Sequence, residues 1–284
     1  MNPAVLYALL SLLFAGINDL VFKRYAVKAR SRGTVIALIG MVWAVLQSLL
    51  SPPVGGWSGF TDEDLLFGVG AGVALTLSNL LLIESLSHIE VSLGSTLYRL
   101  NTLGVVVLSV WFLQETLSPL QAAGIGFGIL AVFLLLQTNQ GLSHDRSFRQ
   151  FLGLAILASL LRAAYGVLTK AGLNQGADGG RMLLIAAACW IVGGVAYALI
   201  REEGFHPHTK PLLYGLVSGV LVTLIVNFLV TAMSYADASL VIPIANLSFV
   251  AALILSLMLG WERLSGRKLT AIGLAVLSIL LLAR

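Results

Sequence analysis

Charge is what this sequence has least of. Only 11% of its 284 residues are Asp, Glu, Lys or Arg, where a soluble domain carries about 25%. The scarcity excludes a water-soluble globule, because 58% of the chain is hydrophobic and the mean hydropathy is +0.95. Cysteine is nearly absent: Cys189 stands alone, so no intrachain disulfide is available and the redox compartment goes unmarked. The four histidines, His88, His144, His206 and His208, fall in polar breaks, and "HPH" is too short to make a metal site. There is no glycine-rich phosphate loop, no paired Cys/His spacing and no nucleophile elbow. No metal or cofactor is expected, and energy from ATP would need another chain. Also missing is the polar–apolar alternation of a membrane β-barrel, since runs such as "GVVVLSVWFL" are apolar all round. The first apolar run lacks a basic leader and a small-residue cleavage site, so it reads as a retained span.

What is there is long apolar segments. A bilayer-crossing helix needs about 20 such residues. Ten runs qualify: 3–22, 34–51, 65–87, 91–113, 119–137, 151–171, 181–200, 211–234, 238–260 and 267–283. The expected fold is an all-α membrane protein of ten transmembrane helices joined by short loops, in the cell (plasma or inner) membrane, as a monomer or homodimer. Basic residues concentrate in the loops of one side, where Lys23, Arg24, Lys28, Arg30 and Arg32 follow the first run. Arg146, Arg149, Arg201, Lys210, Arg263, Arg267 and Lys268 join them, against Lys170, Arg181 and Arg284 opposite. Lysine and arginine favour the cytoplasmic side, which puts both termini outside the cytoplasm. The +4 net charge then reflects topology and calls for no nucleic-acid partner.

The chain also repeats itself. "FLQETLSPLQ" at 112–121 and "LGWERLSGRK" at 259–268 place Glu115, Leu117 and Ser118 opposite Glu262, Leu264 and Ser265, 147 residues on. At the same shift "VSLGSTLYRL" overlies "ASLVIPIANL", Gly126 overlies Gly273, and Lys23 overlies Lys170. The halves, 1–140 and 148–284, hold five spans each. Five is odd, so the second copy crosses the bilayer in the opposite sense. That inverted repeat, with a pseudo-two-fold axis in the membrane plane, recurs in secondary transporters.

Five-span repeats with this ending resemble the EamA-like drug/metabolite transporters, and the resemblance covers essentially the whole chain. Its carriers are "YADASLVIPIANLSFVAALILSLMLGWERLSGRKLTAIGLAVL" and the weaker copy "HIEVSLGSTLYRLNTLGVVVLSVWFLQETLSPLQAAGIGFGIL". Lys23 and Lys170 match the family's lysine near the end of each repeat's first helix. The family's Gly-Glu reads Gln114-Glu115 and Trp261-Glu262 here, and Pro243 stands in one copy only. The resemblance implies movement of metabolites, amino acids or drugs, with a cavity between helices one, three and four of each repeat. For orientation it implies termini in the cytoplasm, the reverse of the charge count.

Ionisable side chains inside spans cost about 2.5–3.5 kcal/mol each on insertion scales. Four are present: Asp19, Glu84, Arg99 and Arg162. Arg99 and Arg162 are the mid-span pair, and a guanidinium fork suits a carboxylate or phosphate. Two internal ion pairs are the structural alternative, since two acids balance two bases. The expected substrate-binding set is Arg99, Arg162, Asn79, Tyr98, Asn101, Tyr165, Asn227 and Asn246, with Asp19 or Glu84 as proton carrier. The function expected is a secondary transporter, an exporter, of a small organic metabolite such as an amino acid or related anionic compound. A membrane-embedded enzyme and a channel or structural subunit are the rivals. Glu115 and Glu262 are expected as helix-end partners, the glycines at 124, 126, 128, 193 and 194 as close-packing points, and Pro243 as a break in its span.

Overall fold

In the computed structural model the described residues are 2–26, 31–52, 59–86, 99–135, 146–260 and 265–283. They form α1 (Pro3–Ala26), α2 (Arg32–Leu50), α3 (Asp62–Leu86), α4 (Asn101–Phe112) and α5 (Pro119–Leu135). The second half gives α6 (Arg146–Asn174), α7 (Gly179–Arg201), α8 (Thr209–Tyr235), α9 (Ala238–Asn246), α10 (Ser248–Met258) and α11 (Gly266–Leu282). The pair α9 and α10 is one apolar run, Ala238–Met258, interrupted at Leu247. Counting that run as a single crossing, the ten expected spans are present as helix, and the first eight residues of the fourth lie outside the description. Helices overrun several runs because polar end residues continue them; α6 starts at Arg146 and ends at Asn174.

The repeated Glu-x-Leu-Ser has a local cause. Ser118 and Ser265 sit just before the last helix of each repeat. Ser118 Oγ accepts from Gln121 N at 3.2 Å, and Ser265 Oγ from Lys268 N at 3.4 Å. Both satisfy an amide that the first helical turn leaves without a partner.

Apolar side chains face outward as well as inward: Val192, Leu199 and Ile200 on α7 are 69%, 61% and 78% exposed. Hydrocarbon is the solvent that accepts such a surface. Between helices, small residues set the spacing. A Cβ on Gly194 would lie 2.5 Å from Ala37 N, and one on Gly33 2.5 Å from Ala198 N, so α2 and α7 meet backbone to backbone. Gly193, Gly124 and Gly128 are also tight, whereas a Cβ on Gly126 would meet nothing within 4 Å. Among the described residues Gly126 is therefore no packing point.

The packing maps onto itself when 147 is added or subtracted. α1 packs on α8 as α6 packs on α3, and α2 on α8 as α7 on α3. The pairs α2·α7 and α5·α11 are their own images. Individual contacts obey the same rule. Ser11 Oγ donates to Ile225 O at 3.0 Å, and Ser78 Oγ to Ala158 O at 2.7 Å; the second pair is the image of the first, with the donor moved to the other helix. Gly16 meets Ala251 as Gly104 meets Ala163, the glycine and alanine having changed places. Trp43 and its image Trp190 meet edge to face, centroids 5.9 Å apart. An exchange that returns each contact to itself in two steps is a two-fold relation. With five crossings per repeat, its axis lies in the membrane plane.

Candidate functional site

The axis passes an ionic cluster. Arg99 Nη1 donates to the carbonyl of Asn246, its own image, at 3.2 Å, and to Ser248 Oγ at 3.2 Å. Its Nη2 binds Asp19 Oδ2 at 2.8 Å. Ser248 Oγ lies 3.4 Å from that same carboxylate oxygen, and Phe249 places its ring 5.1 Å from the guanidinium carbon. Asn246 Nδ2 donates to Asn101 Oδ1 at 2.7 Å and Thr102 Oγ1 at 2.9 Å. The image of Asp19 is Gly166. The charge pair therefore exists once, on a nearly symmetric frame.

A broken helix explains the position. At Leu247 the chain tightens: Leu247 N reaches Ile244 O and Val250 N reaches Leu247 O. The Asn246 carbonyl is left for Arg99. The image position behaves alike, with Leu103 N reaching Leu100 O at the start of α4. Thus the negative end of α9 faces the guanidinium, while Ser248, at the positive end of α10, faces the carboxylate. Pro243 lies inside α9 and the interruption comes four residues later, so the break is not at the proline.

On another side Arg99 borders a pocket between α4, α5, α9 and α11. Thr102, Asn246 and Ser278 supply its polar wall, and Ile125, Ile129 and Val132 part of its apolar one. Asp19 is not among its lining residues.

The remaining expected residues divide. Asn101 and Asn246 join Arg99; Tyr98 lies outside the described residues. Arg162 does not join it. Its guanidinium stands 5.2 Å from the ring of Tyr165, one turn along α6, and no hydrogen bond or ion pair between described residues links it to Arg99. Tyr165 is buried there. Asn79 donates to Leu75 O of its own helix. Asn227 pairs with Gln47 on α2, donating to Oε1 at 2.7 Å and accepting from Nε2 at 3.3 Å. Glu84 binds Tyr197 Oη at 2.9 Å and Arg201 at the end of α7, so it ties helix ends rather than partnering a mid-span arginine.

Two polar junctions close the bundle ends. At the end holding the N-terminus, Glu115 accepts from Ala238 N and Ser239 N, both at 2.9 Å, capping α9. Beside it Lys170 Nζ donates to Met233 O at 2.8 Å and Ala236 O at 3.0 Å, capping α8. Asp237 sits between them. Partial burial pushes its carboxyl above the ordinary aspartate value, the Glu115 charge adds to this, and Lys170 offsets it. Glu262 lies outside the described residues. At the opposite end Glu202 accepts from Ser31 Oγ at 2.5 Å and Arg32 N at 2.6 Å, capping α2. No motif in the sequence marks Glu202 for this role. Its only signal was "RSRG" ahead of an uncharged helix start. Phe249 was missed too, because nothing in an apolar run marks which aromatic will face a cation.

A family model, the EamA-like transporter family, matches residues 2–137 and again 151–284. No curated protein matches the sequence. One solved crystal structure superposes with a TM-score of 0.83 over 98% of this chain and 95% of its own, at 16% identity, a likeness of fold. Two matched repeats spanning nearly the whole length, on a two-fold frame of apolar helices, settle the membership: the chain belongs to the EamA-like transporter family.

Proposed function

We propose that this protein is a secondary transporter, working as a carrier rather than an enzyme, for a small organic metabolite with an anionic group. Arg99 is the anion-binding residue in this reading, and Asn101, Thr102 and Asn246 orient the bound molecule. The observation that carries it is the guanidinium held between two helix ends at the pseudo-two-fold axis. Sites at discontinuous helices near the midplane suit alternating access, because both repeats reach them equivalently. Two halves that pack alike supply two near-equivalent tilts, one opening each side. The cell's plasma or inner membrane is the proposed location, with export as the working direction. Arg162 and Tyr165 on α6 are a second contact for the substrate as it leaves the axis.

The test is counterflow in liposomes. Protein loaded with unlabelled lactate inside should transiently accumulate labelled lactate from outside and saturate with concentration. Flux that neither saturates nor shows counterflow supports a channel instead.

A further inference from the structure

We propose that α1 and α8 move as one arm against a frame of α2, α3, α6 and α7, and that Lys170 latches this arm shut at the end holding the N-terminus. Such a motion is the same whichever molecule binds at Arg99. The packing of the helices is two-fold, but several of the ties between them occur once. In the arm, four rings interleave. Tyr235 of α8, Tyr7 of α1, Phe228 of α8 and Phe14 of α1 stack in that order, with centroids 6.0, 6.1 and 5.7 Å apart. Neither helix can slide along the other without breaking three stacks. Three of the four image positions are leucine, at 81, 154 and 161, so α3 and α6 have no such column.

In the frame, ion pairs take that place. Asp64 and Arg181, 3.2 Å apart, join α3 to α7 at one end, and Glu84 and Arg201 join them at the other. Asp178 N, just ahead of α7, also donates to Asp64 Oδ1 at 2.7 Å. The images of Asp64 and Glu84 are Pro211 and Thr231, so α8 cannot be held on α2 in this way. Glu202 fixes the start of α2 to the end of α7, and Arg32 Nη1 reaches Ile83 O of α3 at 3.3 Å. Ser78 and Ser85 of α3 donate to the Ala158 and Phe151 carbonyls of α6.

Between described residues no ion pair joins the arm to the frame. Their polar contacts are placed as a hinge and a latch. At the end where α1 finishes and α8 begins, Tyr25 Oη donates to Ser31 O at 2.5 Å and His206 N to Thr34 Oγ1 at 3.0 Å. Both acceptors belong to the start of α2, which Glu202 anchors, and Tyr25 and Tyr214 meet edge to face across α1 and α8. A swing about this point moves the opposite end of the arm most. There the buried Lys170 of α6 holds the end of α8 through the Met233 and Ala236 carbonyls. A neutral amide pair, Asn227 with Gln47, adds a second hold. Asp19 rides on α1, so the same swing changes its distance from Arg99.

Pulsed electron–electron spin resonance on purified protein in nanodiscs reads the motion. Spin labels go on cysteines at exposed positions in a Cys189→Ala background. Glu63 with Ile200 spans the frame, Leu6 with Ser234 lies within the arm, and Glu63 with Ser234 runs from frame to arm. Lys170→Met should lengthen and broaden the third distance and leave the first two as narrow as in the wild type. Adding Phe228→Leu, which copies the image residue, should then broaden the Leu6–Ser234 distance too. If Lys170→Met is not monodisperse, Gln47→Leu removes the second hold and is read the same way. A Leu6–Ser234 distance that changes as much as Glu63–Ser234, or any change in Glu63–Ile200, overturns the arm. No change in any pair overturns the latch.

Discussion

Replacing Glu115 with glutamine tests how firmly one end of the bundle is closed. Glu115 is 8% exposed, and its two oxygens each accept a backbone amide from the first turn of α9. Hydrogen bonds to a charged group contribute about 1.5–3 kcal/mol each, and a carboxylate at a helix start gains further from the dipole. Glutamine keeps one carbonyl acceptor and turns an amide donor toward the other N–H. The loss should be about 2–3 kcal/mol, which is roughly a 30- to 150-fold shift against the closed arrangement. Two measurements follow from one variant. In a Cys189→Ala background, a cysteine at Ala236 should label faster when Glu115→Gln is added. The melting temperature should fall by a few degrees at most, on the order of 5 °C, if the loss opens one end rather than unfolding the chain. Unchanged labelling together with unchanged melting would refute the idea that this cap holds the junction.

Further outcomes follow from the same geometry. Ser11→Ala and Ser78→Ala remove image-related hydrogen bonds, so they should cost the same, about 0.6 kcal/mol each, in thermal unfolding of the purified protein. Gly194→Val should abolish folded, monodisperse protein, since its Cβ meets Ala37 N, while Gly126→Ala should express normally. For Asp237 the native carboxyl lies above its ordinary value of 3.8, so the folded state binds the extra proton and stability declines as pH rises through the native value. Asp237→Asn should therefore gain stability over wild type above that range and lose the advantage below pH 3.8, read as melting temperature against pH. Cysteines at Lys28 and Asp62 should label from opposite faces, with position 28 protected from impermeant reagent in intact cells; its labelling there would reverse the orientation that the basic loops indicate.

Depth in the membrane was legible from the sequence, and direction around each helix was not. Run lengths and the 147-residue shift place all ten spans and the pairing of the halves, because hydrophobicity is a property of the segment. Which neighbour a polar side chain faces depends on helix rotation. Asn79 donates to the backbone of its own helix and Asn227 pairs with Gln47, partners that depth alone does not select. Of the two balanced ion pairs, Asp19–Arg99 formed and Glu84 turned instead to Arg201, which the sequence had assigned to a loop. The break at Leu247 follows a proline by four residues, yet its image at Leu100 has none. The leucine shared by the two copies marked the place better than the proline did.

Binding of the transported anion by Arg99 at the axis can be read from lactate counterflow with Arg99→Gln beside the double variant Asp19→Asn/Arg99→Gln. The single change leaves a carboxylate without its cation; the double change restores neutrality, so it should be as monodisperse and as thermally stable as the wild type. The double variant should fold and show no counterflow. A double variant that folds and accumulates lactate like the wild type would contradict it.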